Sequence, residues 1–209
     1  MSRDVMLFNS SSTEKQAALM AWAKNRPGLH TLHHPDFHRL QIEKWIWDRR
    51  EALGYIVMDV GQGDTPRRWF GDGYFTFGLY GCDVLGDLLD IPFGNSTLDG
   101  VVLTEVLEHC TDPFGAIAEV HRVLRPNGLL LVTSPFIWSW HGTSNYKDYW
   151  RFTHQAWELL LKEFSDVKIE PCEWTEEGAA FWDFLRRFEC FGPASLTEAR
   201  TAYIGEAIK

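Results

Sequence analysis

The sequence predicts an α/β fold: a doubly wound, mostly parallel sheet, with helices added before it and again after it. Three observations predict it. From residue 54 onward, short apolar runs alternate with helical spans, the pattern of strands joined by crossover helices. The first run ends in VMDVGQGD (57–64), where an acidic residue and two glycines break a strand into a turn. Farther on, TDPFGAIAEVHRVLRPNG (111–128) opens with Asp112 as cap and Pro113 in the first turn, and closes on a Pro-Asn-Gly turn.

The elements follow in order. Residues 13–53 read as helical. Ala17, Leu19, Met20 and Trp22 give one apolar face, and Leu40, Ile42, Trp45, Ile46 and Leu53 another. The connection RPGLHTLHHPDFH holds His30, His33, His34 and His38. No carboxylate or cysteine pattern completes a metal site there, so it reads as a surface loop and no metal is expected. Strands are predicted at Tyr55–Val60, Tyr74–Leu79, Cys82–Leu85, Gly100–Leu103, Leu129–Thr133 and Val167–Ile169. Ile117, Val120 and Leu124 keep helical spacing after Pro113, and Thr153–Phe164 forms a further helix. Beyond residue 174, Phe181, Phe184, Leu185 and Phe188 form an aromatic stripe at helical spacing, which reads as core or as a homodimer contact. No last strand is recognisable. The organisation is therefore an N-terminal helical segment (1–53) belonging to the same domain, a core (54–175) and a helical C-terminal extension (176–209).

Composition narrows the function. The formal net charge is -9, and no basic stripe of the kind that holds nucleic acid is present. Arg49-Arg50 and Arg67-Arg68 read as solvated faces. The four cysteines, Cys82, Cys110, Cys172 and Cys190, form no C-x-x-C pair, which favours reduced thiols and a cytoplasmic protein. The N-terminus lacks a signal-peptide pattern, and GLLLVTSPFIWSW is too short and polar to span a bilayer. Small-molecule partners are expected, with neither nucleic acid nor membrane.

The chemistry begins at Asp59. Ligands of open α/β sheets bind beyond the carboxyl ends of strands, and glycine allows close approach to the backbone. Asp87 with LLDIPF, the strand GVVLTEVLEH and the block DPFGAIAEVHRVLRPNGLLLVTSPF follow in order. This series resembles the class I S-adenosylmethionine-dependent methyltransferases, most closely the methyltransferase type 11 branch with small-molecule acceptors. A nicotinamide enzyme would show G-x-G-x-x-G and an acid about 20 residues on, and neither is present. The resemblance implies a Rossmann-like methyltransferase sheet that binds S-adenosylmethionine. It implies that Asp59, Gly61 and Gly63 form the loop under the methionine part, and that Asp87 and Leu88 face the adenine. Thr104 and Glu105 would lie near the methionine end, with His109 at the pocket mouth. The chain departs from the family pattern at Gln62, at Thr65 where a third glycine is usual, and at Tyr80, where an acid usually grips the ribose. Asp83 is the nearest replacement for that acid. The stretch from Pro66 to Gly71 leaves little room for the usual first helix.

After TSPF (133–136), His141 and DYWRFT (148–153) match a block that crosses the pocket mouth in many relatives. Tyr149 is suited to stacking on an acceptor. Arg151 is suited to gripping an anionic acceptor or to pairing with Asp148. His109 and His141 are the candidate catalytic residues, as groups able to take a proton from an acceptor. The expected activity is methyl transfer to a small hydroxyl or amine. The alternative is a protein of the same fold that binds the cofactor without turnover and serves a regulatory or interaction role.

Overall fold

The structure is a computed structural model describing residues 12–24, 37–61, 67–172 and 202–209. Helices α1 (Ser12–Lys24) and α2 (Phe37–Arg49) precede a sheet of seven strands. These are β1 (Val57–Val60), β2 (Tyr74–Gly78), β3 (Val84–Leu85), β4 (Leu98–Thr104), β5 (Leu124–Pro135), β6 (Ser165–Pro171) and β7 (Ala202–Ile208). Their order is β3-β2-β1-β4-β5-β7-β6. The first five run parallel, and β7 lies antiparallel between β5 and β6. The strand order reverses between β1 and β4, so the carboxyl ends of these two strands open the crevice where such sheets bind ligands.

Central parallel strands are covered on both faces, which is why they read as continuous apolar runs. Every residue of β1 and β4 is buried. Helix α3 (Pro113–Val123) covers one face. The Asp112 side chain caps it by accepting from the Gly115 N–H at 2.9 Å, and Pro113 occupies its first turn. Ala116, Ile117, Val120 and Val123 bury its inner stripe, and the larger of these contribute about 1.5–3 kcal/mol each at most. Helix α4 (His154–Leu160) is capped by Thr153, which accepts from the Ala156 N–H, and buries Trp157 and Leu160.

On the other face, Leu40, Ile42, Trp45 and Ile46 of α2, with Leu53 beyond it, are buried as the apolar spacing predicts. The α1 face is only partly covered: Ala23 is buried, Leu19 and Trp22 are half-buried, and Ala17 and Met20 are exposed. A chain of aromatic rings ties this layer to the sheet. Trp22 meets Trp47 edge-on, Trp47 meets Trp69, Trp69 stacks on Phe70, and Phe70 stacks on Tyr74.

Three expectations are corrected. Strand β5 starts at Leu124, five residues early, because Leu124 already pairs with Leu98; Arg125–Gly128 then bulge, with Asn127 at φ 64°, before pairing resumes at Leu129. The extension 176–209 is not helical throughout, since Ala202–Ile208 is a strand. Its sequence, AYIGEAI, carries helix-forming Ala and Glu, but two antiparallel partners and the burial of Ala202, Ile204 and Ala207 override that local preference. Finally, Arg67 is no solvated face: its side chain is 2% exposed. The aromatic stripe Phe181–Phe188 lies outside the described residues.

Candidate active site

A cavity of about 720 Å³ opens at the carboxyl ends of β1, β2 and β4, within the usual range for small-molecule sites. Val60 and Gly61 line it from β1, Phe77–Cys82 from the β2 end, Gly86–Leu89 below, and Glu105, Val106 and His109–Thr111 from the β4 end. Tyr146, Lys147 and Tyr149 close its outer side, and Arg39 reaches it from α2.

Gly61 follows β1 with φ 81°, a backbone position that side chains resist. A Cβ there would lie 2.8 Å from Val106 Cγ2, so glycine is what keeps β1 and the β4 turn this close. Asp59 does not face the cavity. It is fully buried behind it, with both carboxylate oxygens 2.9 Å from Arg67 Nη1 and Oδ2 accepting from the Tyr74 hydroxyl at 2.6 Å. The other side of Arg67 donates from Nε and Nη2 to Glu43 of α2 at 2.9 and 2.8 Å. Burial pushes the Asp59 carboxyl up and outweighs the adjacent guanidinium. Burial acts the same way on Glu43, but Arg67 and Arg39 outweigh it there and hold that carboxyl down. Thr104 belongs to the same buried wall, 3.4 Å from Arg67 Nη2. Among the described residues of the β1–β2 connection, one 3-10 turn, Arg68–Phe70, follows Arg67 and its ion network. Gly63, Gln62 and Thr65 lie outside the described residues.

At the β2–β3 corner, Asp83 turns away from the cavity. Its Oδ2 accepts from the Thr76 backbone N–H and hydroxyl, both at 2.9 Å. Tyr80 lines the cavity instead, more than half exposed. Asp87 and Leu88 lie in the cavity wall, and Asp87 Oδ1 accepts from the Leu89 N–H at 2.9 Å.

The β4 end carries the densest chemistry. Glu105 adopts φ 55°, a strained position for a non-glycine residue, and accepts from the Thr133 hydroxyl at 2.8 Å. Glu108, His109 and His141 converge, with one ligating atom of each lying within 4.8 Å of the others. Glu108 is wholly buried; Oε2 accepts from Ser134 Oγ at 3.3 Å, while Oε1 has no hydrogen-bond partner among the described residues. Burial, with the Glu105 charge adding to it, pushes the Glu108 carboxyl up to about 8. His109 Nδ1 donates to the Lys147 carbonyl at 2.6 Å, leaving Nε2 at 3.6 Å from Glu108 Oε1. Burial lowers the His109 imidazole below its ordinary value. Burial also pushes the Cys110 thiol up to about 12, so it stays protonated in the cavity wall.

The loop 141–153 is pinned onto this turn. The Tyr149 and Trp150 N–H groups both donate to the Glu108 carbonyl, and Trp150 Nε1 donates to Cys110 O at 2.8 Å. Arg151 pairs with Asp148. Nη1 and Nη2 grip Asp148 at 2.5 and 2.8 Å, and the guanidinium also donates to the Trp150 and Ser139 carbonyls. The Arg151 hydrogen bonds hold the Asp148 carboxyl well below the usual carboxylate range.

The fold is similar to that of solved structures. The chain aligns with an S-adenosylmethionine-dependent methyltransferase from Archaeoglobus fulgidus at a TM-score of 0.50 and 18% identity, covering 80% of this chain and 94% of that one. It aligns with the Haemonchus contortus phosphoethanolamine N-methyltransferase 2, solved with phosphomonomethylethanolamine and S-adenosylhomocysteine, at 0.54 and 14%, covering 88% and 60%. The chain has the fold of the class I S-adenosylmethionine-dependent methyltransferases. Residues 70–132 match the family described as "Methyltransferase domain". A probable S-adenosylmethionine-dependent methyltransferase from Mycolicibacterium smegmatis is 40% identical over 50 residues, 24% of this chain and 20% of that protein. Cycloartenol-C-24-methyltransferase 1 of rice, Oryza sativa subsp. japonica, is 34% identical over 67 residues, 32% of this chain and 18% of that protein. The matched segments thus span a fifth or less of these two curated relatives. Among the described residues no helix is long and apolar enough to cross a membrane.

Within this methyltransferase fold, Gly61, Asp87, Leu88, Glu105, His109 and Tyr149 share the cavity wall. Asp59, Thr104 and Asp83 stand behind the wall. His141 lies beside His109, the two rings meeting edge-on at 5.0 Å. Sequence reasoning missed Glu108, although the E-x-x-E-H spacing 105–109 was visible, and it missed Arg39 and Glu43, which no motif marks.

Proposed function

We propose that this protein binds S-adenosylmethionine and transfers its methyl group to a hydroxyl or amine of a small molecule. The observation that carries the reading is the cavity at the β1/β4 switch point, whose inner wall is family-patterned and whose outer wall is histidine and tyrosine. The fit to the cofactor rests on Gly61, which lines the cavity with backbone alone, and on Asp87 and Leu88, which occupy the wall that the resemblance assigns to adenine. Tyr80 stands where relatives carry a ribose-binding acid and offers a phenol in its place.

When bound, S-adenosylmethionine would supply an electrophilic methyl carbon, the carbon–sulfur electron pair leaving with the sulfur. The acceptor's lone pair forms the new bond and its proton is released. The residues of this chain hold the acceptor in line and exclude water, and positioning supplies much of the rate in such a displacement. Tyr146 and Tyr149 present aromatic faces to the acceptor, and aromatic faces also favour a nearby sulfonium. His109 and His141 are assigned to the acceptor end.

Calorimetric titration with S-adenosylmethionine and S-adenosylhomocysteine tests the binding. Mass spectrometry of hydroxyl- and amine-bearing acceptors tests the transfer. Saturable binding and a product heavier by one methylene unit are expected. Absence of binding to either compound overturns the reading. Binding without transfer across the panel would favour the inactive, regulatory alternative.

A further inference from the structure

We propose that Glu108, His109 and His141 form a binding site for one divalent first-row metal ion, at the acceptor end of the cavity.

Three features build the site. The first is donor chemistry: two imidazoles and one carboxylate suit zinc, manganese or iron(II) and poorly suit calcium or magnesium. The second is an unsatisfied group. Glu108 Oε1 is buried without a hydrogen-bond partner among the described residues, on a side chain of 0% exposure. Such an oxygen costs about 1–3 kcal/mol or more unless something binds it. The third is orientation of the rings. His109 Nδ1 is held by the Lys147 carbonyl at 2.6 Å. His141 Nδ1 lies 3.2 Å from both the Ser139 carbonyl and Asp148 Oδ2. Each ring thereby has one nitrogen fixed by an outer oxygen and leaves Nε2 for a ligand, the arrangement that metal-binding histidines share. Asp148 is itself fixed by Arg151, so the ion pair that pins the loop also aims His141.

The distances fit. Metal bonds of about 2.0–2.2 Å in tetrahedral geometry place neighbouring ligand atoms roughly 3.3–3.6 Å apart. Glu108 Oε1 and His109 Nε2 already stand at 3.6 Å. One donor atom from each of the three residues lies within 4.8 Å of the others, and His141 sits on a loop.

His109 belongs to the cavity wall, so the remaining coordination positions open toward the acceptor. This part rests on the proposed methyl transfer and refines it. When bound, the ion would hold an acceptor hydroxyl oxygen and ease loss of its proton to water, while the oxygen lone pair forms the bond to the methyl carbon and the carbon–sulfur bond breaks with its electron pair on sulfur. The histidines serve as ligands rather than as free bases, and oxygen acceptors are favoured over amines.

The test uses the full chain stripped with a chelator and titrated with Zn²⁺ and with Mn²⁺, by calorimetry and by equilibrium dialysis with elemental analysis. One equivalent of at least one of these ions should bind. His141→Ala, an exposed-loop change, and Glu108→Gln, which keeps the side-chain shape, should each weaken that binding at least tenfold. S-adenosylhomocysteine affinity should stay within about threefold in the metal-free protein. No stoichiometric binding of either ion, or equal affinity in both variants, overturns the site. Metal binding without cofactor binding would sink the methyltransferase reading and leave the site standing, and the converse would do the reverse.

Discussion

Arg67→Met tests whether the corner behind the cavity is held by a buried ion network or by packing alone. The guanidinium is 2% exposed and donates to both oxygens of Asp59, which is 0% exposed, and to both oxygens of Glu43. Methionine fills similar length and removes every donor. Glu43 keeps Arg39 at 3.1 Å, but Asp59 is left with the Tyr74 hydroxyl alone among the partners described here. Removing one side of a buried pair costs about 3–5 kcal/mol, which for a chain of this size lowers Tm by roughly 6–20 °C. The pH dependence is diagnostic. The native Asp59 carboxyl is already raised by burial, and loss of Arg67 raises it further. The folded variant then holds a proton that the unfolded chain gives up above about pH 4. Its stability is therefore greatest at acid pH and falls by about 1.4 kcal/mol per pH unit until the raised folded value is passed. Urea unfolding followed by circular dichroism at pH 5 and pH 7.5 measures both effects. Adding Asp59→Asn and Glu43→Gln to Arg67→Met should restore most of the loss at pH 7.5. An Arg67→Met protein within about 1 kcal/mol of the parent, or one indifferent to pH, would refute the reasoning.

Gly61→Ala should cost about 1–2 kcal/mol from the left-handed backbone alone. Through the 2.8 Å approach to Val106 it should also weaken S-adenosylhomocysteine binding at least tenfold, read by calorimetry; unchanged affinity would move the cofactor away from this turn. Asp148→Ala and Arg151→Ala should each loosen the loop 141–153, seen as faster limited proteolysis there. The double variant should be no worse than either single change, because both remove the same pair; additive effects would give Arg151 an independent role.

Much of the fold was legible because its signals were local or periodic. Asp112-Pro113 specified the start of α3, and the unbroken apolar run in β4 followed from burial on both faces. What was not legible depended on partners distant in sequence. AYIGEAI becomes β7 only because β5 and β6 flank it. Arg67 is buried because Glu43 of α2 and Asp59 of β1 both meet it. Asp83 satisfied the spacing of a ribose contact, yet Thr76 offers it two donors on the adjacent strand. Glu108 escaped notice because motif reading ranks residues by type and place, whereas its interest lies in a missing hydrogen bond.

The loop that crosses the cavity mouth shows how such a site divides its labour. Arg151 looked suited to an anionic acceptor, but its two terminal nitrogens are spent on Asp148 and on backbone carbonyls. To grip a carboxylate it would have to release an ion pair of which Asp148 is only 1% exposed. That release would also free His141, whose backbone N–H and ring both lean on Asp148. The same pair therefore cannot serve acceptor binding and loop closure at once. On this geometry we propose that Arg151 acts by positioning the loop, and that an anionic acceptor would meet Lys147 or Arg39 in the cavity wall.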